Sequence, residues 1–293
     1  MSLIFKMIKY HGKEYPEDIP LEYDEITAHF DVTGINVSLP MYSLHTEYSY
    51  GKRKLENSQF YDNISSISVE HKDKVPQLWK NDKWSNDFAE FIFELVGESN
   101  NPSIIEIHPP FSDYTSSIEE FIDRYVVFER KVREKFPNVQ VLIENRCGSL
   151  YRGGKFIISK LDSIIKLSEI IDQRKINLKF ALDIPQLFTA HNLEGKKIND
   201  SISLLDEIIK VRHNIAGVHL WGKTIARSGR RVAHCGNLDT YFGDKELKNK
   251  FLERLVNVFD DGIERKLVLE VNSVNEDLLS IIDDLRKVGT QFV

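Results

Sequence analysis

Short apolar strands that lead into a metal-binding side chain recur along this chain, and they constrain its fold more than any other feature. Five such runs, separated by amphipathic helical segments, carry His108, Glu144, Asp183, His219 and Glu270. In a parallel α/β barrel the carboxyl ends of the strands converge on one face, where active sites lie. The sequence therefore predicts an α/β fold of the (β/α)8 TIM-barrel type, with these five side chains on its catalytic face.

The alternation of strands and helices supports this prediction. Strands are predicted at 64–72, 103–108, 139–144, 178–184, 214–220 and 266–271. Helices are predicted at 86–97, from a capping box at Ser116 and Glu119 to Pro137, and at 159–173, 201–212, 245–259 and 275–287. Such alternation indicates a parallel sheet. A closed barrel is preferred to an open doubly wound sheet because no strand is followed by a G-x-G-x-x-G motif or a P-loop.

The N-terminal segment, residues 1–62, has the weakest pattern. Residues 26–39 resemble a strand, whereas 40–63 show neither a helical period nor regular alternation. Long segments of that kind are usually functional loops or insertions. No Gly-, Ser- or Pro-rich linker divides the chain. We therefore expect one barrel domain over 1–293, with the first strands inside the irregular N-terminal segment 1–62.

Charge and composition limit the possible partners. A net charge of −6 argues against broad coating of nucleic acid or of an anionic membrane, so phosphate recognition is expected to be confined to a cleft. No stretch approaches the roughly 18–20 apolar residues of a membrane span. Cys147 and Cys235 form no disulfide framework, and the N-terminus lacks a cleavage signal. A cytoplasmic protein without a membrane partner is expected, whereas the oligomeric state has no signature.

Glu144, Asp183 and Glu270, together with His219, predict a metal site. Three ionised carboxylates held close together repel one another unless a cation neutralises them. Zn²⁺, Mn²⁺ or Mg²⁺ can supply that charge, and mixed oxygen and nitrogen ligands do not decide between them. A single acid at the end of a strand is more often a salt bridge or a helix cap. The prediction therefore depends on the four residues occurring together.

A family resemblance lies in the motifs IEIHPPF, VLIENRCGS, ALDIPQL, GVHLWGK and LVLEV. Over about residues 100–272 they resemble the xylose isomerase-like TIM barrels, and in particular the AP endonuclease family 2, or endonuclease IV-like, branch. The resemblance implies that Glu144, Asp183, His219 and Glu270 bind a divalent metal. The fold that it implies is a TIM barrel.

The same resemblance bears on further metals. Endonuclease IV-like members hold a second metal with two more histidines, which implies His108 and His71 here, and His234 resembles a ligand of their third zinc. Two departures stand against a three-zinc site. Gln186 occupies the position of a histidine, and Val232 occupies the position of an aspartate. One or two ions are therefore expected.

Two chemistries share this ligand set. In the hydrolytic interpretation Glu144 bridges two metals, which activate water and stabilise the oxygens of a phosphodiester. In the isomerase interpretation Glu144 and Glu270 flank a sugar or sugar phosphate, one of them removing a proton beside a carbonyl that a single Mn²⁺ or Mg²⁺ polarises. A barrel that only binds its ligand is the third alternative. The fold does not choose between them.

Basic loops favour the hydrolytic interpretation. Both the loop after Glu144 and the loop after His219 should lie on the catalytic face, and they carry the candidate phosphate-binding residues Arg146, Arg152, Lys155, Lys223, Arg227 and Arg230. Guanidinium groups suit bidentate phosphate contacts. The alternative is that these charges pair with the acids of an acidic protein. Phosphate binding would indicate nucleic acid or a phosphorylated small molecule as the substrate.

Overall fold

Eight parallel strands close into a barrel in the computed structural model, which describes residues 3–28, 34–46, 66–67, 77–151, 153–193 and 199–293. The strands are β1 (Ile4–Lys9), β2 (Tyr23–Ala28), β3 (Met41–Thr46), β4 (Ile104–Ile107), β5 (Gln140–Glu144), β6 (Leu178–Asp183), β7 (Ile215–Leu220), β8 (Lys223–Ile225), β9 (Arg231–Ala233), β10 (Arg265–Leu269) and β11 (Gln291–Phe292). Strands β1 to β7 pair in order, and β10 lies between β7 and β1. This closure confirms the predicted TIM barrel.

The helices follow the predicted alternation. They are α1 (Asp82–Val96), α2 (Ile118–Lys135), α3 (Leu161–Arg174), α4 (Ile184–Ala190), α5 (Asn199–Ile208), α6 (Leu238–Phe242), α7 (Lys245–Phe259) and α8 (Asn275–Lys287). Helices α7 and α8 have the predicted bounds. The connection 10–22 between β1 and β2 contains turns and no helix. None of the described helices combines the length and the apolar character needed to cross a bilayer.

The start of α2 differs from the prediction by one residue. Ser117 is the N-cap, and its hydroxyl accepts a hydrogen bond from the backbone N–H of Glu120. The Ser116 hydroxyl donates instead to the Glu120 carboxylate. The predicted pairing of Ser116 with Glu119 is therefore wrong, because consecutive serines and consecutive glutamates offer two registers for the same motif.

The predictions for residues 40–72 are only partly within the described ranges. Strand β3 occupies the beginning of segment 40–63, for which the sequence pattern predicts no strand. Of the strand predicted at 64–72, only residues 66–67 are described, and they form a turn and a bend. The rest of both segments, including His71, lies outside the described residues.

The inside of the barrel consists of an apolar layer beneath a polar layer. Ile8, Tyr23, Ile104, Leu142, Ala181 and Val268 form the apolar cluster. Side chains two residues apart on a strand point to the same face. Two positions after Tyr23, Ile104, Leu142, Ala181 and Val268 stand the polar residues Glu25, Glu106, Glu144, Asp183 and Glu270. The alternation of the strands thus directs five carboxylates into the carboxyl end of the barrel.

Candidate metal centre

One side of the polar layer brings together His45, His108 and Glu144. The Nε2 atoms of His45 and His108 lie 3.3 Å apart. Glu144 Oε2 is 2.8 Å from His108 Nε2 and 3.5 Å from His45 Nε2. One ligand atom from each of the three lies within 4.8 Å of the others, so together they have the composition and spacing of a metal site.

The other side contains Asp183, His219 and Glu270, whose ligand atoms also lie within 4.8 Å of one another. Glu270 Oε1 is 3.3 Å from His219 Nδ1. Asp183 and Glu144 end the adjacent strands β6 and β5, so Glu144 lies beside both groups. The predicted set of Glu144, Asp183, His219 and Glu270 therefore meets at one place.

Glu144 is fully buried and has cationic and amide partners. Arg146 Nη1 donates to both carboxylate oxygens, at 2.6 Å from each. The Gln186 side-chain amide donates to Oε1 at 2.8 Å. Gln186, the departure from the histidine of endonuclease IV-like proteins, therefore contacts this carboxylate directly and orients it.

Asp183 is held by groups from two neighbouring strands. The Trp221 indole donates to Oδ2 at 2.9 Å, and the Gln186 backbone N–H donates to Oδ1 at 2.7 Å, because Asp183 also caps α4. The Asn145 side chain exchanges two hydrogen bonds with the backbone of Asp183, both 2.9 Å long. These contacts fix the carboxylate at the rim of the barrel.

His234 reaches the site through the β8–β9 hairpin. Its Nδ1 lies 3.2 Å from Glu270 Oε2, and its ring stacks on Trp221 with centroids 4.2 Å apart. The two ends of the hairpin meet at Gly222, where a Cβ would lie 2.3 Å from the backbone of Gly236. Only a glycine permits this approach. His234 therefore contacts Glu270 although it lies far from the end of β7 in sequence.

Two further carboxylates, Glu25 and Glu106, face the histidines. His45 Nδ1 donates to Glu25 Oε1 at 2.8 Å, and His219 Nε2 lies 3.3 Å from Glu106 Oε2. Sequence analysis missed His45 as well as both of these acids. The alternation on β2 and β4 contained the signal for the acids, because each follows an inward apolar residue by two positions.

Burial and the facing charges shift the acids of the site in opposite directions. Burial raises the pKa of Glu144, but hydrogen bonds from His108 and His45 lower it to about 2. Burial and the neighbouring Glu144 and Glu270 raise the pKa of Asp183 to about 7. His219 and His234 hold the pKa of Glu270 well below its ordinary value, against the effect of burial.

The histidines respond to these acids. Burial lowers the pKa of His45, yet Glu106 and Glu144 raise it well above its ordinary value. Glu106 and Glu270 do the same for the pKa of His219. Without metal, protonated imidazoles therefore neutralise part of the carboxylate charge. Those protons occupy nitrogens that a metal would need.

The predicted basic residues divide into two groups. The Arg146 side chain is largely buried and forms an ion pair with Glu144. Lys223 Nζ donates a hydrogen bond to Thr189 Oγ1 at 2.8 Å. Lys155, Arg227 and Arg230 are exposed, and none of the three forms an ion pair within the described ranges. Arg152 lies outside the described residues.

Comparison with known proteins gives a fold and no closer identity. No protein-family model matches the chain, and no curated protein sequence does. The crystal structure of AsfvAP:AG matches 98% of this chain and 98% of its own, with a TM-score of 0.53 and 12% sequence identity. A xylose isomerase domain protein from Planctomyces limnophilus covers 90% of this chain and 95% of its own at 14% identity, with a TM-score of only 0.40. The first match confirms the barrel fold that the motifs imply.

Proposed function

We propose that this protein is a divalent-metal-dependent phosphodiesterase with a two-metal centre, acting on nucleic acid. The observation that carries the proposal is the contact of His45 and His108 with Glu144. It adds another group of ligands beside Asp183, His219 and Glu270. An isomerase needs only the latter group with Glu144, whereas a two-metal hydrolase needs both.

The residues present fit two divalent cations in number and charge. Five buried carboxylates meet in the polar layer, and Arg146 neutralises one of them. Two divalent cations would balance the remaining four negative charges. Within the described ranges, His219 Nδ1 is buried without a hydrogen-bond partner, and an ion bound there would satisfy this nitrogen. Three imidazoles, those of His45, His108 and His219, favour Zn²⁺ over Mg²⁺.

The chain's own residues suit the chemistry of a phosphodiester. When bound, two divalent cations supply an activated water and stabilise the attacking and leaving oxygens. Glu144 can offer one oxygen to each ligand group, and Gln186 holds its orientation. Arg146 keeps a guanidinium beside both groups, where it can bind a non-bridging phosphate oxygen. Trp221 fixes Asp183 by a hydrogen bond from its indole.

The β8–β9 hairpin supports a nucleic-acid substrate. It joins Trp221 to His234, so it leaves and re-enters the barrel at the site, and it carries the exposed Arg227 and Arg230. Lys155 is exposed on the loop that follows Glu144. Cations on two loops that follow strands of the site suit the repeated charges of a phosphate backbone better than a single phosphate group.

Replacing Arg227 and Arg230 by Gln together is expected to weaken DNA binding and flatten its salt dependence. If each arginine contacts one phosphate, the slope of log K against log [salt] should fall by about 1.8, since each duplex contact contributes about 0.9. Fluorescence anisotropy at several salt concentrations measures it. Lys250→Gln with Arg254→Gln on α7 makes the same charge change on the outside of the barrel and serves as the control. Equal slopes for both double variants would contradict a role for the hairpin.

Metal uptake is expected to strengthen as pH rises. The raised pKa values keep His45 and His219 protonated near pH 7, and a ring nitrogen must lose its proton to bind a cation. One proton displaced per ion strengthens binding about tenfold per pH unit, which is roughly 100-fold between pH 6 and pH 8. Calorimetry in two buffers of different ionisation enthalpy counts the protons. Affinity that does not change with pH would contradict this prediction.

Cleavage assays with metal-loaded protein test the proposed function. Duplex DNA with an abasic site, intact DNA and RNA are incubated with wild type and with Glu144→Gln. Cleavage by the wild type alone, with two ions per chain, is the expected result. One ion per chain, no cleavage of any of the three substrates, and exchange of a carbon-bound proton of a ketose with D₂O would overturn it in favour of a sugar or sugar-phosphate isomerase.

A further inference from the structure

The imidazole rings of His45 and His219 are oriented in opposite ways. His45 turns Nδ1 to Glu25, at 2.8 Å. Its Nε2 lies 3.3 Å from His108 Nε2 and 3.5 Å from one oxygen each of Glu144 and Glu106. Its Nε2 therefore faces the first ligand group, which consists of His45, His108 and Glu144.

His219 has the reverse orientation. Its Nε2 lies 3.3 Å from Glu106 Oε2, while Nδ1 lies 3.3 Å from Glu270 Oε1 on the side of Asp183. Nδ1 is buried and makes no hydrogen bond to any described residue. Nδ1 thus faces the second ligand group, which consists of Asp183, His219 and Glu270.

An ionised carboxylate only accepts hydrogen bonds, so a ring nitrogen that is hydrogen-bonded to it donates the proton. The other nitrogen of a neutral imidazole then presents its lone pair. Carboxylates that hold metal-binding histidines in this way also increase the basicity of the ligand. Because Glu25 and Glu106 are buried, water competes little for these contacts.

We propose that Glu25 and Glu106 are positioning residues that fix His45 and His219 in opposite tautomers. Glu25 keeps the proton of His45 on Nδ1 and leaves Nε2 for the ion beside His108. Glu106 keeps the proton of His219 on Nε2 and leaves Nδ1 for the ion beside Asp183. The inference rests on the proposed two-metal function. It explains, by the placement of Glu25 and Glu106, why one ion would bind a histidine through Nε2 and the other through Nδ1.

Conservative variants test the proposal by metal affinity. Glu25→Gln and Glu106→Gln should each lower the affinity for one of the two ions roughly 10- to 100-fold, as measured by competition with a chelator. Two Zn²⁺ per chain should still bind at saturation. Asp24→Asn is the matched control. Asp24 neighbours Glu25 on β2 and is equally buried, but its carboxylate accepts from Ser38 and Leu39 on the other face. It should leave both affinities unchanged.

Nitrogen NMR tests the tautomers in the wild type, whether or not the variants fold. In protein loaded with Zn²⁺ and labelled with ¹⁵N-histidine, two-bond correlations should show protonated Nδ1 in His45 and protonated Nε2 in His219. The same tautomer in both rings, or wild-type affinity in both glutamine variants, would overturn the proposal. Complete loss of one ion in Glu106→Gln would make Glu106 a ligand and overturn its positioning role. A wild type that binds no divalent ion would overturn the proposed function itself.

Discussion

Glu144→Gln is expected to lose at least one metal ion per chain and to reduce phosphodiester cleavage more than roughly 100-fold. The loss of a residue that only hydrogen-bonds to a metal ligand usually reduces activity roughly 10- to 100-fold. Glu144 is the carboxylate beside both ligand groups, and an amide cannot supply its charge. In the wild type, Arg146 Nη1 lies 2.6 Å from Glu144 Oε1. The substitution leaves this guanidinium group buried against a neutral side chain. Metal analysis by inductively coupled plasma mass spectrometry and turnover measurement check both effects.

Glu129→Gln is the control for this variant. Glu129 is partly buried on α2 and accepts a hydrogen bond from the Asn177 backbone, away from the metal centre. It should keep two ions and wild-type turnover. Two firmly bound ions and normal cleavage in Glu144→Gln would show that this carboxylate bridges nothing.

His45→Ala is expected to remove one ion of two and to abolish phosphodiester cleavage. His45 Nε2 lies 3.3 Å from His108 Nε2, and without it the first ligand group keeps only His108 and Glu144. The group around Asp183, His219 and Glu270 loses none of its members. Stoichiometry should therefore fall from two ions to one, as measured on protein purified without a chelator.

His213→Ala provides the comparison. His213 is exposed and pairs with Asp172 on the outside of the barrel, so it should have no effect on either ion. If His45→Ala retained two ions, the second site would lie elsewhere. If it lost one ion and kept full activity, a one-metal reaction would be indicated.

Much of the fold could be predicted because its signals are local and periodic. Helices α7 and α8 have the bounds expected from their apolar spacing. Strands β5, β6 and β10 contain the uninterrupted apolar runs Val141–Ile143, Phe180–Leu182 and Leu267–Leu269, as expected for strands covered on both faces. Strand β3 has no such run, since Ser43, His45 and Thr46 interrupt its apolar residues. It is formed by pairing with β2 and β4, which are distant in sequence.

Sequence analysis found the site residues where a polar residue ends an apolar strand. That signal led to Glu144 and Asp183, which the structure brings together. His45 carried no such signal, and Glu106 stands two residues before the more conspicuous His108. The contact of Arg146 with Glu144 depends on how the loop after β5 folds back beside the loop after β4. Such contacts arise from tertiary packing and leave no periodic trace in the sequence.

The polar layer draws its side chains from seven of the eight barrel strands, from Glu25 on β2 to Glu270 after β10. No single segment of the chain contains a complete ligand group, so under the proposed function a cation can bind only after the ring of strands has closed. The bound ion would then link barrel strands that are distant in sequence. At a concentration 100 times its Kd it would add about 2.7 kcal/mol to the free energy of unfolding. Metal scarcity would therefore shorten the lifetime of the folded chain as well as stop its chemistry.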